Sequence, residues 1–243
     1  MTQVKLTETP AFIAMDAVTP QRIGTVRKQT REAIEGRRAY ELKERGGELS
    51  KDFANIEALD HPDVARLFVV AGVVPAPYIN APAYSGEEFE KKSGLPAFAH
   101  TENQKGYKKL FEAAGYLYSG TRMEAVLKTT IACSIIASRF HVVMPRDVCE
   151  RFLNSVPMSN VSGDLAESIE NVRAKHMTGG AATQFSQCSL QLAQMRVGII
   201  VPSGRNKDFA LNLESPLLES FAMRFGMVDE LNRAKEYRAT IAA

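Results

Sequence analysis

Arg27, Arg31, Arg38 and Arg45 recur at intervals of four and seven residues, and the chemistry open to such a row is the holding of phosphates. At about 100° per residue the four fall within roughly 40° of one another on a helix, flanking a face made by Ile23, Val26, Ala33 and Ile34. Their separations along the axis are roughly 6 and 10 Å, comparable with the reach between successive or alternate phosphates of a single strand. Guanidinium suits the task because its fork donates in two directions and stays charged at any relevant pH. The same stretch also permits intrahelical pairing, since Glu41 precedes Arg45 by four residues. Tyr107, Tyr116 and Tyr118 lie among Lys105, Lys108, Lys109 and Arg122, where aromatic rings could stack on bases or simply pack in a core. A Pro-Ser-Gly turn in "IIVPSGRNKDF" presents Arg205 and Lys207, either as a phosphate contact or as a solvated turn. The expected nucleic-acid contacts are the four arginines of the row, Tyr107, Lys108, Lys109, Arg122, Arg205 and Lys207.

Other reaction chemistry has little to stand on. His61, His100, His141 and His176 have no neighbouring His, Cys or paired carboxylate at ligand spacing, so no metal is expected. "HMTGGAATQ" lacks both the preceding strand and the following Lys of a phosphate-binding loop, and no serine stands in a nucleophile elbow. The expectation is a protein without catalytic residues or cofactor. A helical enzyme with a dispersed site is a third class after the two readings weighed below.

The charge is local. Of thirty Lys and Arg, eight fall between residues 20 and 46 against four Glu, giving that stretch +4. With a total of +2, the remainder of the chain carries −2, the distribution of a binding footprint rather than a basic tail. Cys133, Cys149 and Cys188 are odd in number and widely spaced, which fits neither a disulfide framework nor a zinc site and implies a reducing setting. The first residues lack a charged region followed by an apolar core, and no stretch approaches the roughly 18 apolar residues of a membrane span. A cytoplasmic protein without membrane contact is expected.

Elements follow from periodicity and punctuation. Residues 1–18 read as an arm. Thr19-Pro20 begins a helix that Gly46-Gly47 stops, and Asp60-His61-Pro62 opens another over "DVARLFVVAGVV". Prolines over 75–82 suggest a connector, placing an N-terminal helical lobe at 19–82 and a C-terminal lobe at 83–243. Ser85 caps a short helix. Tyr107, Leu110, Phe111, Ala114 and Leu117 share a helical face, and "TRMEAVLKTTIACSIIASRF" is apolar enough all round for a central core helix. Helices also fit 145–156, "GDLAESIENVRAKHM", "TQFSQCSLQLAQMRVGIIV", "ESPLLESFAMRFG" and "MVDELNRAKEYRATIA". "FHVVM" and "VGIIV" are the good strand candidates, each as easily a helix end, so the fold class expected is all-α.

"FAMRFGMVDE", Phe221 to Glu230, together with the ending "YRATIAA", resembles the closing helix of nucleoproteins from segmented negative-strand RNA viruses of the phlebovirus kind. "LQLAQMRVGIIVPSGR" is loosely similar to the same family's helix running into a Pro- and Arg-containing loop. The coat proteins of flexuous filamentous plant viruses, similar in core fold, end on a comparable Phe-Gly-Leu element. The resemblance covers about the last fifty residues and implies an all-α, two-lobed protomer that clamps single-stranded RNA in a basic cleft. It also implies a homo-oligomer joined by a terminal arm, for which residues 1–18 qualify, and residence in the host cytoplasm and virion. By themselves Phe221 and Phe225 are an i,i+4 core pair with Gly226 as the helix stop. The resulting expectation is a nucleoprotein or coat subunit binding single-stranded RNA without sequence preference, in which replacing Arg27, Arg31 and Arg38 with Ala leaves thermal stability nearly unchanged. The alternative is a helical scaffold or phage structural protein that assembles without nucleic acid.

Overall fold

The computed structural model describes residues 18–51, 53–73, 79, 105–144, 161, 163–176, 199–203 and 208–242. Residues 1–17 of the arm, nearly all of the proline-rich connector, the helices expected after Ser85 and over 145–156, and the one expected over 183–201, apart from 199–201, lie outside them. Of the described residues 73% are helical, so the fold class is all-α. The chain divides into two compact units, with the boundary between residues 121 and 122.

The first unit begins with α1 (Pro20–Glu44), α2 (Phe53–Glu57) and α3 (Pro62–Ala71) and ends with α4 (Lys105–Tyr118). The punctuation of α1 works as its residue types require. Thr19 is extended and its hydroxyl accepts the Arg22 backbone N–H at 3.3 Å, with Pro20 at the first position, where no donor is missed. At the other end Gly46 adopts φ 64°, and the Gly47 N–H closes back on the Leu42 carbonyl at 2.7 Å. His61 opens α3 by accepting the Asp63 N–H on Nδ1 at 3.2 Å. α3 packs on α1 and α4, and α2 on α4. The segment α4, expected in the C-terminal lobe, therefore belongs with the first unit.

The second unit holds α5 (Ala125–Ala137), α6 (Gly163–His176), the strands β1 (Ile200–Ser203) and β2 (Asp208–Leu211), α7 (Pro216–Phe225) and α8 (Val228–Ala242). α5 is buried almost all round, as its apolar circumference predicts, and packs against α6, α7 and α8. Thr130, Ser134 and Ser138 donate one turn back, to the carbonyls of Val126, Thr130 and Ser134 at 2.7–2.9 Å, whereas the buried Thr129 hydroxyl has no hydrogen-bond partner among the described residues. "VGIIV" does supply a strand, in an antiparallel hairpin whose register pairs Ile200 with Leu211 and Ser203 with Asp208. The partner "DFAL" has no sequence signal of its own, and "FHVVM" forms no strand beyond an isolated bridge at Met144.

Ser215-Pro216 starts α7 and Gly226, at φ 66°, ends it. Phe221 and Phe225 face inward with ring centroids 5.8 Å apart, so the pair that marks the resemblance is also core. α8 is tied to the turn after α5 by Arg139–Glu230 at 2.6 Å, by the Tyr237 hydroxyl donating to the Phe140 carbonyl at 2.9 Å, and by Arg238 donating to Val142 at 2.9 Å. Phe221→Ala should cost about 3–5 kcal/mol in urea unfolding, because its ring is fully buried. Met223→Ala, two residues away but 65% exposed, should stay within about 0.5 kcal/mol of the parent.

Candidate nucleic-acid interface

α1 is a polar helix that buries Thr30, Ala33, Ile34, Arg37 and Glu41. The arginine row runs along the flank of that face, and a flank meets whatever packs beside it. Here the neighbour is the acidic stretch that follows α1. Arg27 donates from Nε to Asp60 Oδ1 at 3.0 Å and from a terminal nitrogen to the Asp60 carbonyl at 3.4 Å. Arg31 donates from Nε to the other oxygen of the same carboxylate at 2.5 Å. Arg38 reaches Glu57 at 2.6 Å and Glu35 at 3.5 Å while lying over the Phe53 ring. Arg45 stands 3.9 Å from Glu41. The row is thus brought together on one line, as its spacing requires, but Arg27, Arg31 and Arg38 turn toward Glu57 and Asp60 and clasp the next segment, while Arg45 faces Glu41 of its own helix.

Inside the clasp lies a pair that spacing had assigned differently. Glu41 is 2% exposed and accepts Arg37 Nε at 2.7 Å, with Arg37 itself 5% exposed. Arg37 also donates to the Ile79 carbonyl at 3.2 Å, and the Ser50 N–H donates to the second Glu41 oxygen at 2.9 Å. Burial pushes the Glu41 carboxyl upward, but the Ser50 hydrogen bonds and the Arg37 guanidinium outweigh it and hold the carboxyl below the usual carboxylate range. The signal was present in the sequence, because Arg37 falls among the apolar positions of α1 and Glu41 follows it by four.

Tyr107 is a correction. It is 1% exposed, with its phenol driven upward in pKa by burial and coupled to Arg37 and Glu41, so it offers no ring face to a base. Lys108, 64% exposed, stands 3.8 Å from Glu112, and Lys109 has a partner of its own. Tyr116 is buried, whereas Tyr118 is half-buried at the end of α4 under the Arg66 guanidinium. Arg66 was not among the expected contacts. Arg122 belongs to the second unit, where it lies 3.7 Å from Glu167 and is 85% exposed. Arg205 and Lys207 lie outside the described residues. The first unit therefore gathers the row with Lys108 and Lys109, separately from Arg122.

Among the described residues no group of three or more His, Cys, Asp or Glu could hold a metal ion, and no helix is long and apolar enough to cross a membrane. Comparison of the chain with protein-family models, with curated proteins and with solved structures finds no match.

Three variants test this geometry. Asp60→Asn removes the shared partner of Arg27 and Arg31 and should cost about 1–2 kcal/mol in urea unfolding. The Arg27, Arg31 and Arg38 triple Ala variant should likewise melt lower, contrary to a freely solvated row. Glu41→Gln leaves a buried guanidinium short of its counter-charge and should cost about 3–5 kcal/mol at neutral pH. A carboxyl with a depressed folded pKa contributes stability that is present above its unfolded pKa and is lost as pH falls through its folded value. The difference between parent and Glu41→Gln should accordingly shrink with acidification, and a difference constant with pH would show that the Glu41 charge is not what stabilises.

Proposed function

We propose that the protein coats single-stranded RNA without sequence preference and assembles with copies of itself, its basic surface supplying affinity and its neighbours cooperativity. The observation that carries this reading is the sharing of one carboxylate, Asp60, by two guanidiniums. That site keeps a net positive charge while its geometry is fixed. Arg31 uses only Nε in the pairing and its side chain is 58% exposed, which leaves its terminal nitrogens for a phosphate. A guanidinium held this way loses little freedom on binding. Arg45, 56% exposed beside a carboxylate already engaged by Arg37, adds a second such donor. The resemblance of "FAMRFGMVDE" to viral nucleoproteins supports the same reading, with residues 1–18 as the link between subunits and host cytoplasm and virion as the setting. Binding and assembly, without turnover, make up the activity.

A specific observation also favours the alternative, a helical scaffold or phage structural protein assembling without nucleic acid. Much of the arginine row is answered within the chain, and the second unit exposes Phe140, Met223 and Ile241 at 52%, 65% and 47%, the material of protein contacts.

Purification with and without RNase separates the two. Under the RNA reading the protein carries nucleic acid that RNase or high salt removes, seen as a fall in the 260/280 absorbance ratio. The stripped protein should bind oligouridylate with an affinity that drops roughly 20- to 50-fold for a fourfold rise in salt, as three or four phosphate contacts require. Protein free of nucleic acid that still forms large assemblies in negative stain would favour the scaffold. Deleting residues 1–18 should leave a folded protomer that no longer assembles, and assemblies that persist would remove the arm as the link.

A further inference from the structure

Arg66 is, among the described residues, the arginine with neither a hydrogen bond nor an ion pair. It sits on α3 one turn after Asp63, a spacing that normally pairs the two charges. The pairing is not made, and Asp63 engages other groups through one oxygen. Its carboxylate accepts the Ser119 hydroxyl and lies 3.7 Å from His61 Nδ1. Arg66 instead lays its guanidinium over the Tyr118 ring, with Cζ 4.5 Å from the ring centroid. Its Nε is sealed from solvent without an acceptor, and the Tyr118 hydroxyl is sealed beside it in the same state. Each such orphan costs about 1–3 kcal/mol.

A stacked guanidinium uses its face on the ring and keeps its in-plane donors free. With Nε turned inward, the terminal nitrogens remain to meet a ligand, and their geometry matches two oxygens of one phosphate. Tyr118 fixes the plane of the fork without competing for those donors. The ring is held in place by the close of α4, where the Ser119 and Thr121 N–H groups both return to the Gly115 carbonyl at 2.9 and 3.2 Å. A Cβ at position 115 would run into the Thr121 hydroxyl, so the glycine lets that side chain lie close over the end of the helix. The Arg27–Asp60–Arg31 clasp lies on the approach to the same helix, six residues before Arg66 in the chain. Asp63 is the carboxylate that opposes an incoming anion, and one of its oxygens is engaged by the Ser119 hydroxyl.

We infer that Arg66, stacked on Tyr118, is a phosphate-contacting residue of the first unit and takes a phosphodiester of the bound strand through its two terminal nitrogens. This rests on the RNA reading for the source of the phosphate, whereas the recognition chemistry is that of phosphate itself.

The test uses the full chain, stripped of nucleic acid, as parent, Arg66→Met and Arg66→Lys. Met keeps an apolar stem over Tyr118 and removes the charge, while Lys keeps the charge and removes the fork. Fluorescence anisotropy with labelled oligouridylate across a salt series should show Arg66→Met binding about tenfold more weakly, with a salt slope shallower by about 0.7. Its melting temperature should stay close to the parent's, since the stacking lost on Tyr118 is offset by removal of the buried unpaired Nε. Arg66→Lys should restore the slope but only part of the affinity, a split that a packing role would not produce. Parent-like affinity and slope in Arg66→Met overturn the assignment and leave the RNA reading standing. Melting temperatures in inorganic phosphate and in chloride at equal ionic strength form the second arm. If the parent binds no oligouridylate, the RNA reading fails. Arg66 then stands as a phosphate site if phosphate raises the melting temperature of the parent but not of Arg66→Met, and falls if it raises both alike or neither.

Discussion

The first unit depends on a mostly polar helix being held in place by its charges. α1 buries few apolar side chains, so hydrophobic burial gives it little purchase on its neighbours. What fixes it is a set of guanidinium–carboxylate contacts to residues that follow in the chain, with Arg37 and Glu41 at their centre. A buried ion pair is weak as a source of stability, since both charges leave water, but it is exacting about geometry. The Ser50 N–H and the Ile79 carbonyl occupy the remaining donor and acceptor positions of that pair. Those four partners fix where Ser50 and Ile79 meet α1, and with it the line along which Arg27, Arg31 and Arg38 meet Glu57 and Asp60.

Pairing has two opposed effects on a basic row. It lowers the potential that draws a polyanion, and it removes the entropy that a free arginine loses on binding. Which effect governs depends on how completely the partner is used. Glu41 is saturated by Arg37 and Ser50, so the Arg37 charge is spent inside the protein. Asp60 divides its two oxygens between two arginines, so a positive charge survives there in a fixed place. Counting charges along the sequence treats these two situations as equal, although their consequences for a ligand differ.

Much of the helical punctuation was legible from residue types. Thr19-Pro20, Gly46, Ser215-Pro216 and Gly226 each do locally what their side chains or their freedom from a Cβ permit, and the all-round apolar surface of α5 could lead only to the interior. What was illegible is non-local. The non-local acceptors of Arg27, Arg31 and Arg38 come from residues 47–66, where five acids against two bases give −3, so the +4 of the preceding helix is largely answered within the next twenty residues. That run could have been read, but nothing in the periodicity of α1 says which side the acids will pack on. β2 was missed because four residues acquire strand character only from a partner, and α4 was placed with the wrong neighbours because a proline-rich connector does not determine what packs beyond it.

The two ends of α4 show how far a pattern of residue types can go. Tyr107 and Tyr118 are eleven residues apart, within about 20° of each other on the helix, and both are electrostatically coupled to an arginine of the first unit. Composition describes the two environments alike. At Tyr107 the arginine is Arg37, closed off by Glu41 and a backbone carbonyl, and the ring is wholly interior. At Tyr118 burial pushes the phenol up to about 12, and the arginine is Arg66, whose natural carboxylate has been taken by Ser119. The same aromatic–cation unit is therefore closed by a carboxylate at one end of the helix and left without one at the other. The Ser119 hydroxyl, set by the turn whose N–H groups return to the Gly115 carbonyl, occupies one oxygen of Asp63 at that end.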